Sequence, residues 1–226
     1  MNAGTAVVTG ASRGIGRAVA RALASKWEIV AVARSAPELD ELRREIEDAG
    51  GDCSTIELDV TDRAAVQHAL AGIDADVLVN NAGIGIVKPL LELDAEEWRR
   101  MVAVNFDALF YVTRALLPGM VARGRGHIVN IGSLSGRGAF VGGTCYAATK
   151  HAVVGFSESL MMEVRDAGVR VSIVMPGSVD TSFSPSSGDA SWKLSASDVA
   201  SAVLFTLDQP DNSLVSRVEL RPLRKS

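Results

Sequence analysis

Short runs that are apolar almost throughout alternate along this chain with longer segments whose apolar residues recur every three or four positions. The short runs predict strands at 5–9, 28–33, 53–59, 77–80, 127–131, 169–175 and 217–220. Most lack the in–out alternation of a half-exposed sheet, as expected when helices cover both faces. The amphipathic segments predict helices over 15–25, 37–49, 62–71, 94–123, 146–167 and 197–208, the fourth long enough to be two helices in tandem. End signals agree with these bounds. Pro37 and the acids behind it suit a first turn, Gly50-Gly51 and Gly168 suit helix stops, and Ser197 reads as an N-cap. Strict strand–helix alternation predicts one α/β domain over 1–226, a doubly wound parallel sheet of about seven strands. The irregular stretch 181–196, rich in Ser, Gly and Pro, reads as a short substrate lid, because too little chain follows it to build a second core.

Composition narrows the function classes. The chain has 226 residues, 47% hydrophobic and 22% charged, enough to bury a full core. A net charge of −4 gives no general attraction for nucleic acid or an anionic membrane, so neither partner is expected. Cys53 and Cys145 lie far apart with no metal-like Cys/His spacing, which predicts two free thiols and no metal. Met1-Asn2-Ala3-Gly4 leads straight into an apolar strand with no basic leader, so a cytoplasmic protein without a signal peptide or membrane span is expected.

The first predicted strand runs into Thr9-Gly10-Ala11-Ser12-Arg13-Gly14-Ile15-Gly16 and then a helix. Glycines there permit a tight turn and close approach of backbone to a pyrophosphate, which the helix N-terminus favours electrostatically. The spacing is TGxxxGxG within a strand–turn–helix context. It resembles the classical branch of the short-chain dehydrogenase/reductase family, a Rossmann-type fold, and departs from the spacing of the longer epimerase-like branch. The second strand ends Ala33-Arg34-Ser35, without the acid that would hold an unmodified ribose 2′-OH. Arg34, with Arg13 in the glycine loop, offers instead a charge-assisted grip on a 2′-phosphate, so the expected cofactor is NADP(H).

Tyr146 and Lys150 share a helix face at i, i+4. A neighbouring ammonium and an oxidised nicotinamide would lower the phenol pKa and make Tyr146 a usable general acid/base. Ser133, just past the fifth strand, could bond a substrate oxygen, and Asn105 sits in the long helical segment. Together Asn105, Ser133, Tyr146 and Lys150 resemble the family's catalytic tetrad. The resemblance, which spans Thr5 to about Thr181, implies that Ser133 orients the substrate oxygen, Lys150 also holds the nicotinamide ribose, and Asn105 holds a water leading from Lys150. It further implies cofactor contacts at Gly10, Ser12, Arg13, Gly14, Ile15, Gly16 and Arg34. It adds Asp59 and Val60 beside the adenine, then Asn81, Ala82 and Gly83 of Asn80-Asn81-Ala82-Gly83, and Pro176, Gly177 and Thr181 after the sixth strand.

The activity so implied is hydride transfer between NADP(H) and a ketone or aldehyde, or the matching alcohol or hydroxy acid. A 3-oxoacyl carrier or thioester is an alternative substrate, and a non-catalytic redox-sensing regulator is an alternative of another class. A homodimer or homotetramer is implied through the helices at 94–123 and 146–167. The end of the chain, Ser216 to Leu223, lacks the glycine-rich strand of many relatives, and the substrate stays open. His68, His127 and His151 read as structural, Cys145, Met161 and Met162 as packing residues, and Trp98 as a helix anchor. Phe183 and Trp192 are candidate pocket residues.

Overall fold

The computed structural model describes residues 4–181, 183 and 190–224. Strands β1 (Thr5–Thr9), β2 (Glu28–Ala33), β3 (Cys53–Glu57), β4 (Ala75–Asn80), β5 (Gly126–Ile131), β6 (Val169–Pro176) and β7 (Arg217–Leu220) form one sheet. Helices α1 (Gly14–Leu23), α2 (Ala36–Asp48), α3 (Arg63–Leu70), α4 (Ala95–Val102), α5 (Ala108–Arg123), α6 (Thr144–Val164) and α7 (Ala196–Leu207) join them. Sheet order is β3-β2-β1-β4-β5-β6-β7, and every pairing is parallel. Strand order therefore reverses between β1 and β4, and a crevice at the carboxyl ends of those strands is where an open α/β sheet takes a ligand.

Two apolar layers flank the sheet. Val8, Val19, Leu23, Leu39, Leu42, Val79 and Val203 belong to the layer under α1, α2 and α7. Val7, Val66, Leu78, Val112, Leu116, Ile128 and Leu160 belong to the one under α3, α5 and α6. Successive residues of β1, Val7 and Val8, serve opposite layers, which explains why the strands read as unbroken apolar runs.

Several ends differ from expectation for local reasons. The long helical segment is one run of 29 residues, Ala95–Arg123, apolar and long enough to cross a membrane by those criteria alone. Its apolar side is the core face, with Met101, Leu109, Val112, Leu116 and Met120 all buried. Between α4 and α5 lies a single π-helical turn, Ala103–Asp107, rather than a loop. Helix α7 is capped by Ser195, not Ser197: the Ser195 hydroxyl accepts from Asp198 N at 3.1 Å while Asp198 accepts from Ser195 N at 2.7 Å. Helix α6 closes through a short 3₁₀ turn at Gly168, left-handed at φ 76°. Met162 is exposed while its neighbour Met161 packs on the core, since adjacent helix positions cannot both face inward. Of the expected lid 181–196, residues 182 and 184–189 lie outside the described residues.

Candidate active site at the carboxyl edge of the sheet

Helix α1 starts at Gly14 with no side-chain cap on its first turn, whereas α3, α4 and α7 are capped by Asp62, Asp94 and Ser195. A Cβ on Gly16 would stand 2.2 Å from the Gly10 carbonyl oxygen, so the loop 10–16 closes on itself only with glycine there. The loop is also tied to β4. Asn81 Nδ2 donates to the carbonyls of Thr9 (3.0 Å) and Gly10 (3.2 Å), and the Thr9 hydroxyl accepts from Asn81 N and Ala82 N at 3.0 and 3.2 Å. Arg17 holds it from behind, donating to Ser12 O at 3.3 Å while its other nitrogen pairs with Glu45 of α2 at 2.9 Å. Free first-turn N–H groups, a glycine cradle and a rigid backing fit a pyrophosphate. Thr181 abuts the same loop, its methyl 3.5 Å from where a Gly14 Cβ would lie.

Arg13 and Arg34 are both exposed, and neither forms an ion pair among the described residues. Arg34, past β2, lies within electrostatic reach of Asp59, past β3. The Asp59 carboxyl is held below its ordinary range chiefly by the Thr61 backbone N–H, at 2.9 Å, and less by Arg34. Val60 is buried and lines, with Thr9, Asn80, Ala82, Asn105 and Lys150, a cavity of about 10 Å³, room for a single water.

The π-helical turn carries Asn105 inward. Its side chain is buried, accepts from Ile84 N at 2.8 Å and donates to Ile84 O at 2.9 Å and Thr149 Oγ1 at 3.1 Å. Asn105 therefore fixes both the loop after Gly83 and the helix bearing Tyr146 and Lys150, and such turns recur at functional sites. A Cβ on Gly83 would sit 3.4 Å from Asn105 Oδ1 and 3.9 Å from Lys150 Nζ. Ser133 is buried past the end of β5, its hydroxyl accepting from Ser135 N at 3.1 Å and close enough to the Tyr146 phenol to favour its charged form.

Lys150 is buried, donates to Ile131 O at 3.0 Å, and desolvation pulls its pKa down to about 8. The expected lowering of Tyr146 combines Lys150 with an oxidised nicotinamide, and so concerns the cofactor-bound site rather than the protein alone. Burial raises the phenol pKa, with only the Ser133 hydrogen bond opposing it. The ammonium points to the Ile131 carbonyl and stands 5.9 Å from the Tyr146 ring centroid.

Pro176 ends β6, and Gly177 N donates to Leu220 O at 2.9 Å, with Leu134 packed against it. Phe183 joins the site, its ring centroid 5.9 Å from that of Tyr146. Trp192 contacts Lys193 instead, and Trp98 is 40% exposed rather than an anchor. Cys145 is buried against the Trp98 carbonyl, both cysteines are free, and no metal-ligand cluster occurs among the described residues.

Sequence reasoning missed Thr9, Arg17 and Thr149, whose partners are distant in sequence. It also missed a buried polar chain across the sheet. Asn80 Nδ2 donates to Thr113 Oγ1 (3.0 Å) and Asn130 Oδ1 (2.9 Å), and Asn130 Nδ2 donates to Ser157 Oγ (2.8 Å).

The family model described as short chain dehydrogenase matches residues 4–191. The chain is 35% identical over 239 residues to the NADP-dependent 3-hydroxy acid dehydrogenase YdfG of Salmonella typhi, covering 97% of this chain and 95% of that one. Among solved structures it is similar to a closed serine dehydrogenase complexed with NADP+ (TM-score 0.91, 34% identity, covering 98% of this chain and 96% of that one). It is also similar to a metagenomic short-chain oxidoreductase in complex with NADP (TM-score 0.87, 38% identity, 99% of each chain).

Proposed function

The chain belongs to the short-chain dehydrogenase family and is an NADP(H)-dependent oxidoreductase, and on that premise we propose that it reduces a ketone or aldehyde, or oxidises the matching alcohol, with Tyr146 as general acid or base. The observation that carries this reading is the convergence of Ser133, Tyr146, Lys150 and Asn105 beside the glycine loop at one sheet edge. NADPH, when bound, supplies the hydride. Gly10 to Gly16 hold the pyrophosphate, and Arg13 and Arg34 hold the 2′-phosphate. Asp59 and Val60 border the adenine. Asn81, Ala82 and Gly83 border the ribose, while Pro176, Gly177 and Thr181 flank the nicotinamide end. Ser133 orients the carbonyl oxygen and Tyr146 donates its proton to it. A phenol kept protonated by burial suits that donation. Lys150 holds the ribose hydroxyls, and Asn105 a water in the cavity the two residues share.

The named relatives favour a second reading of substrate, a small hydroxy acid such as serine or a 3-hydroxy acid. The exposed apolar residues Phe110 and Val121 of α5 and Met162 of α6 support a homodimer or homotetramer through those helices, which sedimentation at micromolar concentration tests. Reductase activity is tested by following NADPH consumption with a panel of ketones, aldehydes, 3-oxo acids and 3-oxoacyl thioesters, with NADH in parallel. Turnover with NADPH well above that with NADH is the expected result. NADPH binding without turnover on any member would contradict it.

A further inference from the structure

Two loops frame the approach to Tyr146. One follows β4 through Gly83 and Gly85 to Asp94, and the other runs from Arg137 to Gly143. They are joined by a bond from Lys88 N to Gly142 O at 3.0 Å, and Val87 packs on Gly142. Two aromatic rings stand close to the Tyr146 ring: Phe140 with centroids 6.4 Å apart and Phe183 at 5.9 Å. Each ring lies where a glycine leaves space for it. A Cβ on Gly143 would come within 2.4 Å of the Phe140 ring, and one on Gly85 within 2.7 Å of the Phe183 ring. Beyond the rings the same loops expose Val87, Leu90, Leu91 and Val141, the last two almost completely. A concentration of exposed apolar side chains next to a catalytic group marks a surface made for an apolar ligand.

The cations nearby are already engaged by the protein's own carboxylates, although on the Ser133 side two guanidinium groups share one. Lys88 bonds Glu97 and lies within electrostatic reach of Asp94 and Glu92 as well, so the β4 side of the mouth carries more negative than positive charge. On the Ser133 side, Arg137 bonds Glu219 at 2.6 Å, and Arg221 takes the other oxygen of that carboxylate at 2.8 Å. A substrate carboxylate would compete with Glu219 for these arginines.

We propose that the enzyme's substrate is an uncharged carbonyl compound carrying an aromatic or branched aliphatic group, packed against Phe140 and Phe183 with its carbonyl oxygen toward Ser133 and Tyr146. This rests on the Tyr146-centred reading of the site and sets aside the small hydroxy acid suggested by the relatives. Burying a phenyl group against these rings is expected to raise kcat/KM roughly 30–150-fold.

The test compares NADPH-dependent kcat/KM for acetophenone, 4-phenyl-2-butanone and cyclohexyl methyl ketone with that for 2-butanone and acetoacetate, in wild type, Phe140→Ala, Phe183→Ala and Arg137→Ala. Circular dichroism checks that each variant folds. The apolar ketones are expected to exceed 2-butanone and acetoacetate by at least about 30-fold, and each Phe→Ala change to cut that preference about 10-fold. Preference for acetoacetate, lost in Arg137→Ala, would overturn the proposal and leave Tyr146 chemistry standing. So would an apolar preference that both Phe→Ala variants keep. Absence of turnover on all five compounds, with activity on an aldehyde or thioester, would overturn the proposal and leave the catalytic reading standing.

Discussion

At the amino-terminal end of β5, His127 is buried with Nε2 2.8 Å from Ser172 Oγ, whose hydroxyl donates to Val215 O at 2.7 Å. Past the carboxyl end of the same strand lies Ser133, with Lys150 buried beside it against Ile131 O. Both ends hold a desolvated titratable group, and they treat it differently. His127 drops to about pKa 3 and stays neutral at physiological pH. Lys150 falls only to about 8 and keeps most of its charge there. Around the amino-terminal edge several other polar groups are paired locally. Arg123 bonds Asp74 at 2.7 Å and Ala75 O at 2.6 Å, and Asp76 accepts from Thr5 N at 3.1 Å. The carboxyl edge leaves a helix N-terminus uncapped and two arginines unpaired among the described residues. The amino-terminal edge is paired largely by the chain itself, although Arg123 Nε and His127 Nδ1 are buried there without a partner among the described residues, and the carboxyl edge is completed by a ligand.

Four changes sharpen or break that contrast. The largest concerns His127. Its folded pKa lies below the unfolded value, so the folded state binds fewer protons and stability is lost as pH falls from about 6.5 toward 3, by up to roughly 5 kcal/mol. His127→Gln should flatten that acid limb in pH-dependent thermal unfolding. Lys150→Met should lower kcat about 1000-fold by removing a buried positive charge from the site. The same change should stabilise the free protein. Wild-type stability rises as pH climbs through about 8 toward 10.5, by up to ~3 kcal/mol, and the variant should lose that rise. Removing both guanidinium groups, Arg13→Ala with Arg34→Ala, should weaken NADPH about 10–100-fold in titration and leave NADH and Tm nearly unmoved. Gly168→Ala meets the Gly124 carbonyl at 2.1 Å in a left-handed turn, and should cost ~1–3 kcal/mol of stability while turnover persists.

The readable and unreadable parts of this chain divide by range. Strands 5–9, 28–33 and 217–220 were predicted to the residue because apolar runs and turn residues are local signals. The glycine loop and the i, i+4 pair Tyr146 and Lys150 were legible for the same reason. The π-helical turn at Asn105 was not, since one extra residue in a turn barely alters apolar periodicity. Ser195 stands three residues before Asp198, the spacing of a capping box, and Ser197 does not, so this cap was legible and was passed over. The Asn80–Asn130 pair depends on the register of β4 against β5, and the placing of Phe183 beside Tyr146 depends on tertiary packing. The burial that raises the Tyr146 phenol in the protein alone was not legible, because spacing puts two side chains on one face without saying how deeply the packing encloses them.

The measurement that bears most directly on the central claim is Tyr146→Phe assayed for NADPH-dependent carbonyl reduction, with its melting temperature and NADPH dissociation constant taken alongside. The account predicts turnover reduced at least about 100-fold, with both other quantities close to wild type. Turnover near the wild-type rate in a folded, cofactor-binding Tyr146→Phe protein would contradict it.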